Sequence, residues 1–288
     1  MPEARILPWR ALVAVALWGA SLPAVRIALE VFHPVGLVAT RMLVGALVLL
    51  AVLRARGERL VPERRDLGLC VVLGLVLGAH MLIQVFALVH APAVDTGWIL
   101  GFIPVAIALG ARVFLRQFLG GVGWLGVAVA TAGVLLVTLE EPPDFERAQL
   151  GHVLAWITCF TWTAYTLAAT GVVKRNGPLR VSAFCVLVAA LVPLVPAAWS
   201  GFVIADVGGR ALFALAFLGI LCSGAAQLLW VQALRTDGAA RTGATLYLEP
   251  FVTVAVAWVV LDEPLTTWVL VGGPTVLVGV WLVGRGSR

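Results

Sequence analysis

The chain has 288 residues, of which 61% are hydrophobic and only 12% are charged, and its mean hydropathy is +1.04. Soluble domains carry about 25% charged residues, so this composition excludes an ordinary soluble protein and predicts an all-α polytopic membrane protein. The net charge of +5 is not gathered into a basic patch, which argues against nucleic acid as a partner. The four cysteines lie inside apolar runs without ligand spacing, so no metal and no cofactor is expected.

Taken in chain order, ten apolar segments are each about 20 residues long, enough to cross a hydrocarbon core of about 30 Å. The connections between them are short and carry Pro, Gly, Asp or charge, so none holds a soluble domain. The predicted spans are roughly 9–30, 34–53, 66–89, 95–115, 120–139, 150–173, 179–199, 209–233, 238–260 and 266–284.

The basic residues alternate between the two sides of these spans. Sixteen of the 20 Lys and Arg residues fall at one set of span ends, three at the other, and Arg41 lies inside a span. Cytoplasmic loops of membrane proteins carry an excess of Lys and Arg. We therefore expect the side with sixteen basic residues, and both chain termini, to be cytoplasmic.

The second half of the chain repeats the first. A shift of 146 positions pairs residues in the middle of each half, namely Thr242 with Thr96, Gly243 with Gly97, and Pro250 with Pro104. The two copies, residues 1–141 and 150–288, hold five predicted spans each, and an odd number inverts the second copy in the membrane. Two inverted five-helix repeats around a central cavity are the usual construction of alternating-access carriers. A duplication that serves only as a scaffold is the other interpretation.

Polar and aromatic side chains within the spans are the candidates for substrate binding. His80 lies mid-span with Gln84 one turn later on the same face, and polar groups at that depth normally face the bundle interior or a water-filled cavity. The other interpretation of His80 is a hydrogen bond that only holds two helices together. The predicted substrate-binding residues are Trp18, His80, Gln84, Trp98, Phe102, Trp162, Tyr165, Gln227, Trp230 and Tyr247.

Two of these tryptophans, Trp18 and Trp162, occupy equivalent mid-span positions when the halves are aligned by a shift of 144. A tryptophan facing lipid at the bilayer centre would leave its indole N–H without a partner, so both predict cavity walls, with packing as the alternative. An aromatic cavity with few charges suits a ligand that is largely apolar or aliphatic and has a polar head.

Arg41 and Glu249 are the only residues charged at neutral pH that lie deep in predicted spans. Their depths are similar enough for a direct or water-linked ion pair. Glu249 is then either a proton or cation site that couples transport, or one partner of a structural pair. Pro250 and its repeat partner Pro104 each remove a backbone hydrogen bond, so both predict helix bends.

Several segments resemble the drug/metabolite transporter superfamily, in its EamA-like branch of ten-helix, two-repeat bacterial carriers. The resemblance covers essentially the whole chain, and its most specific segments are LYLEP at 246–250, LDEPL at 261–265, and the glycine-containing span 272–279 with its counterpart 126–133. The first copy departs from the family pattern at residues 116–117, where Arg and Gln replace the acidic residue usual after the fourth helix.

The resemblance implies a monomeric, multi-pass exporter in the lipid bilayer of the bacterial inner membrane, with no enzymatic activity. Its small-molecule substrates are expected to be amino acids or similar metabolites, as in the aromatic amino acid exporter (YddG-like) type. The alternative is a multidrug exporter for lipophilic cations, which requires an unpaired Glu249. If Arg41 neutralises Glu249, we expect facilitated, gradient-driven movement rather than a buried carboxylate relay.

Overall fold

The computed structural model describes residues 8–91, 99–138, 149–261 and 267–286. These residues are almost entirely helical, and an isolated antiparallel bridge joins Phe32 to Val203. A π-helical segment covers Phe217–Ala226, and a 3-10 turn covers Thr245–Leu248. The helices are α1 (Trp9–Gly19), α2 (Ser21–Leu29), α3 (Pro34–Ala55), α4 (Arg64–His90), α5 (Ile103–Phe114), α6 (Gly121–Thr138), α7 (Gln149–Asn176), α8 (Pro178–Ser200), α9 (Gly209–Ala216), α10 (Gln227–Ala244), α11 (Glu249–Leu261) and α12 (Thr267–Gly286).

Within the described residues, six helical stretches are long and apolar enough to cross a membrane, and three shorter apolar helices accompany them. The longest, Gly209–Val260, has 52 residues, or roughly 78 Å of helix at 1.5 Å per residue, which exceeds a single crossing. It changes direction at Gly238, whose φ of 78° lies in the left-handed region that glycine tolerates. The chain is therefore a multi-pass membrane protein.

Most helix bounds lie close to the spans predicted from hydropathy. α3 and α8, for example, begin within one residue of the predicted spans and end within two. The first predicted span is instead two helices that break at Ala20. The fourth was predicted to begin at residue 95, but α5 begins at Ile103, and residues 92–98 lie outside the described part of the chain.

Glycines bring the helices into close contact. α6 runs along α12, and a Cβ on Gly126, Gly133 or Gly279 would clash with the facing helix of this pair. Gly45 and Gly219 have the same role where α3 crosses the π-helical segment. Small residues at crossings are how membrane helices gain packing contacts, because lipid removes the hydrophobic drive for helix association.

Loop contacts join the two halves of the chain at both ends of the bundle. At the end where α2 finishes and α3 begins (the α2–α3 end), Ile204 N donates to Val31 O at 2.8 Å. At the end where α3 finishes and α4 begins (the α3–α4 end), Glu63 N donates to Asn176 Oδ1 at 2.8 Å. Hydrogen bonds therefore connect the two halves at both ends of the bundle.

Candidate functional site

A cavity of about 90 Å³ lies inside the bundle, toward the α2–α3 end, and we call it the main cavity. Its wall comes from α2, α3 and α4, with Leu100 and Glu249 added from the chain beyond them. Most of the lining is aliphatic, so the few polar groups in it fix what it can bind. The lining residues are Ser21, Leu22, Val25, Leu37, Val38, Arg41, Met81, Gln84, Val85, Leu88, Leu100 and Glu249.

A smaller cavity of about 20 Å³, the inner cavity, continues from the main one toward the α3–α4 end. The two share Arg41 and Met81, so these side chains stand between them. The other residues around the inner cavity are Trp18, Met42, Leu77, Val186, Cys222, Ser223 and Gln227. Both halves of the chain therefore contribute to this interior space.

Arg41 is held in place by the crossing of α3 with the π-helical segment. Gly45 and Ser223 meet so closely there that a Cβ on Gly45 would clash with the serine. Arg41 Nε donates to Ser223 Oγ at 3.1 Å, across 182 positions of sequence. The side chain is mostly buried, and the terminal nitrogens of its guanidinium have no hydrogen-bond partner among the described residues. Arg41 lines both cavities.

Glu249 reaches the main cavity through the break between α1 and α2. Pro23 has no N–H to donate to Gly19 O, so this carbonyl is free to accept from another helix. Thr253 Oγ1 lies 2.9 Å from Gly19 O and 3.0 Å from Glu249 O, which fixes the start of α11 against the break. Glu249 is the first residue of α11 and follows the 3-10 turn directly. Its carboxylate forms no hydrogen bond or ion pair with the described residues.

Of the two forms of the Arg41–Glu249 pair that the sequence leaves open, direct and water-linked, the direct one is not formed. Within the described residues, no nitrogen of Arg41 comes within 4.0 Å of a carboxylate oxygen of Glu249, although both line the main cavity. The physical reason is that Ser223 holds the guanidinium toward α3 and the π-helical segment, while Glu249 is anchored by α11. The expectation of facilitated movement relied on neutralisation of Glu249 by Arg41, and the direct contact is absent among the described residues.

The central tryptophans predicted as cavity walls lie against one another. Trp18 and Trp162, repeat partners in sequence, have ring centroids 5.2 Å apart with an edge-to-face angle of 85°. Trp230 lies 5.3 Å from Trp18 and 5.8 Å from Trp162. We call these three rings, with His80 and Tyr165, the aromatic cluster. Of the five, Trp18 borders the inner cavity, and none lines the main cavity.

Hydrogen bonds fix this cluster. Trp18 Nε1 donates to Cys222 O at 3.1 Å, and Gln227 Nε2 donates to Tyr165 Oη at 2.7 Å. His80 Nδ1 lies 3.1 Å from Thr161 Oγ1, whose own proton has backbone carbonyls as partners. Nδ1 therefore donates to Thr161, and Nε2 is left with its lone pair. His80 thus joins two helices, while Gln84, one turn further along α4, lines the main cavity.

The remaining predicted residues lie apart from this cluster or outside the description. Phe102 packs edge-on against Trp156, with centroids 5.6 Å apart. Tyr247 is buried between α6 and α12, and its hydroxyl lies 2.7 Å from Thr131 Oγ1. Trp98 lies outside the described residues.

The two prolines predicted to bend a helix each lie in the first turn of a helix, directly after an interruption of the chain's helical structure. Pro104 is the second residue of α5, after a turn at residues 101–102. Pro250 is the second residue of α11, after the 3-10 turn at 245–248. A proline in the first turn costs no hydrogen bond because its N–H would lack a helical partner there.

Sequence reasoning missed Ser223 and the aliphatic wall of the main cavity. Ser223 lies in a run of small and apolar residues, and nothing in its spacing shows that it meets Arg41. The break at Ala20 had a signal in Pro23, the third residue after it, which falls in the first turn of α2. Among the described residues, no group of three His, Cys, Asp or Glu side chains could hold a metal ion.

Known proteins match the chain over nearly its full length. A probable terminal-alkyne amino-acid exporter of Streptantibioticus cattleyicolor is 29% identical over 280 residues, which cover 96% of this chain and 93% of that protein. The uncharacterized transporter YdfC of Bacillus subtilis is 24% identical over 268 residues, covering 92% and 87%. One solved crystal structure superposes with a TM-score of 0.83 at 19% identity, covering 95% of this chain and 94% of that one, and supports the fold alone.

The family assignment follows from both halves of the sequence. A model of the EamA-like transporter family matches residues 9–139 and again residues 149–285. These two ranges include most of the helices described above, together with the walls of both cavities. The chain belongs to the EamA-like transporter family.

Proposed function

We propose that this transporter exports amino acids or similar small metabolites by alternating access. The observation that carries the proposal is an interior cavity lined by charged residues from both halves of the chain, Arg41 and Glu249. The relative from Streptantibioticus, 29% identical over 280 residues, is named as an amino-acid exporter, which favours the same substrate class here. The cavity is mostly aliphatic with few polar groups, as expected for a small amphiphilic metabolite.

The proposed architecture has ten transmembrane helices in two inverted five-helix repeats, residues 1–141 and 150–288. In this scheme α9, the π-helical segment and α10 up to Gly238 form one membrane span, and the chain after Gly238 forms the next. Helix contacts come in exchanged pairs, as a two-fold axis requires. α4 packs on α8 and α7, and the π-helical segment, its counterpart, packs on α3 and α1. α6 packs on its own counterpart, α12.

The loop contacts support the same symmetry. The loop between α2 and α3 meets the one between α8 and α9 at one end, and at the other the loop between α3 and α4 meets the junction of α7 and α8. A pseudo-two-fold axis in the membrane plane exchanges these two sites and makes inward-open and outward-open states near mirror images. The functional unit is then a monomer with both termini in the cytoplasm of a bacterial cell.

This structure represents a conformation with its main cavity toward the α2–α3 end, which the basic-residue bias assigns to the cell exterior. The aromatic cluster lies on the cytoplasmic side of the main cavity. Movement of the halves about their shared contacts would open the opposite side, as in other carriers with inverted repeats.

Export of lipophilic cations remains the second candidate, because Glu249 lacks the direct counter-ion that would remove its attraction for a cation. Arg41 weakens this candidate. Its guanidinium lines the same cavity and repels a ligand that carries only positive charge.

Counterflow into proteoliposomes tests the proposal, using labelled neutral amino acids in one arm and a cationic dye in the other. We expect exchange of amino acids, reduced by Gln84→Ala, which alters the cavity wall. The matched control is Thr275→Ala, which alters a threonine bonded to its own helix on α12. Exchange of the dye without exchange of any amino acid would establish the cation exporter instead.

A further inference from the structure

Two residues of opposite charge line the main cavity without direct contact between their charged groups. Arg41 and Glu249 both line it, and their charged atoms are more than 4.0 Å apart. Arg41 uses one nitrogen for Ser223, and Glu249 has no partner for its carboxylate among the described residues. A charge in the membrane interior is costly, and the residues that carry one commonly pair with each other or mark a substrate pathway. These two do not pair, so their relation to a substrate needs an explanation.

The guanidinium is arranged to receive an anion. Ser223 Oγ accepts a hydrogen bond from Arg41 Nε, which fixes the orientation of the planar guanidinium and leaves its terminal nitrogens without a partner among the described residues. A guanidinium with fixed orientation binds a carboxylate through parallel hydrogen bonds, which gives both affinity and geometric selectivity. The packing of α3 against the π-helical segment makes this orientation a property of the fold.

The carboxylate is arranged to receive a cation. Thr253 holds the backbone of Glu249 against the break between α1 and α2, so the Glu249 side chain projects from an anchored helix start. An ionised carboxylate is an acceptor only, and a primary ammonium group supplies three donors. Glu249 therefore suits the ammonium end of a ligand whose other end reaches Arg41.

We propose that the main cavity binds an α-amino acid as a zwitterion, with its carboxylate on Arg41 and its ammonium group on Glu249. The side chain of the ligand then lies against the aliphatic wall, which includes Val38, Val85 and Leu100. This inference rests on the proposed function and narrows it to neutral amino acids with aliphatic side chains. The aromatic cluster supports the narrowing, because its rings pack on one another and none of them lines the main cavity.

Each charge also excludes a class of ligand. A molecule with only a positive charge is repelled by Arg41, and one with only a negative charge is repelled by Glu249. The site therefore selects for a ligand that carries both charges. A close analogue that lacks one of the two charged groups leaves a buried polar group of the site unpaired. This cost is how polar sites achieve strong discrimination.

Equilibrium binding to purified protein tests the inference, with labelled L-leucine as the probe and two competitors. L-leucinamide lacks the carboxylate, and N-acetyl-L-leucine lacks the ammonium group. In the unmodified protein, unlabelled L-leucine should displace the probe at concentrations at least about tenfold lower than either analogue. Equal displacement by L-leucinamide and L-leucine would overturn the inference, and this arm needs no variant protein.

Two variants then assign the charges to the two ends of the ligand. Arg41→Gln should weaken the binding of L-leucine by about tenfold or more. L-leucine and L-leucinamide should then bind equally well, because no guanidinium remains to distinguish them. Glu249→Gln should likewise weaken the binding of L-leucine, and L-leucine and N-acetyl-L-leucine should then bind equally well. Arg41→Lys keeps the charge and should retain discrimination against L-leucinamide, and its thermal stability shows whether the position tolerates change.

Failure of this inference and failure of the proposed function give different results. If both variants weaken all three ligands by the same factor, Arg41 and Glu249 act only on the structure, and the inference is wrong while amino-acid export stands. If the unmodified protein shows no amino-acid counterflow and no L-leucine binding, the proposed function itself fails.

Discussion

Asp66, near the start of α4, and Arg175, near the end of α7, form a bidentate ion pair at the end of the bundle away from the main cavity. Arg175 Nη2 donates to Asp66 Oδ1 at 2.6 Å, and its Nε donates to Oδ2 at 2.9 Å. Asn176 Nδ2 adds a third donor to Oδ2, at 2.7 Å. The carboxylate is buried, and both of its oxygens accept hydrogen bonds from the other half of the chain. It therefore joins the two halves where the proposed alternating-access mechanism requires them to separate.

Asp66→Asn should therefore favour opening at the α3–α4 end. It keeps the shape of the side chain but removes the charge, and a hydrogen bond to a charged group contributes about 1.5–3 kcal/mol. Arg175 is partly solvated, so we expect a net effect of about 1 kcal/mol, or roughly fivefold in the open population. The measurement is the rate at which a polar thiol reagent, added from that side, modifies a cysteine placed at Met42 beside the inner cavity.

Arg65→Gln is the matched control for this prediction. Arg65 pairs with Glu63 at 2.8 Å, and its Nε lies 3.9 Å from Asp66 Oδ2, but the side chains of Arg65 and Glu63 are well exposed. Exposed ion pairs contribute little, so the thiol reaction should keep its rate. If Arg65→Gln accelerates it as much as Asp66→Asn does, general charge at this surface matters and the buried pair has no special role.

The aromatic cluster should contribute strongly to stability. Trp162 is 5% exposed and contacts Trp18, Trp230, Tyr165 and His80, so Trp162→Ala should lower the free energy of unfolding by about 3–5 kcal/mol. Denaturant unfolding in detergent measures this change.

A second tryptophan separates burial from the simple loss of an aromatic ring. Trp199, at the end of α8, is 85% exposed, and Trp199→Ala should change the free energy of unfolding by less than about 0.5 kcal/mol. Similar losses for both variants would mean that Trp162 is not the structural centre its contacts indicate.

The positions of most helices could be predicted from the sequence, but the cavity could not. Hydropathy placed α3 and α8 well because a span is determined by local composition. The repeat alignment pairs Trp18 with Trp162, and the structure places these two rings in contact. The bond from Arg41 to Ser223 could not be read this way, since it depends on which face of a π-helical segment turns inward.

The membrane orientation is testable without any knowledge of substrate. A reporter fused after Arg288 or inserted at Arg59 should report the cytoplasm, and one near Asp144 should report the exterior. The reason is the sixteen-to-three bias of basic residues, which assigns the loop with Arg59 to the cytoplasm. A periplasmic signal from the C-terminus would contradict the ten-span architecture.

Gln117 has a structural role where the family usually has an acidic residue. Its Oε1 accepts from Ala240 N at 3.1 Å, the second residue after the turn at Gly238, and so satisfies an N–H at the start of a helical segment. Gln117→Ala should lower the free energy of unfolding by about 1 kcal/mol, the usual cost of losing a helix cap. Gln117→Glu should retain that stability, because a negative charge at a helix N-terminus is favourable.

Gly238 is subject to two constraints, a positive φ and a close neighbouring side chain, whereas Gly57 is subject only to the first. Both have positive φ, 78° and 64°, so an alanine is strained at either position. A Cβ at Gly57 would meet nothing within 4 Å, whereas one at Gly238 would lie 3.1 Å from the amide atoms of Gln117. Gly238→Ala should therefore cost more free energy of unfolding than Gly57→Ala, and combining it with Gln117→Ala should add less than the sum of the single losses. Equal costs for the two glycines, with full additivity, would show that Gln117 does not support this turn.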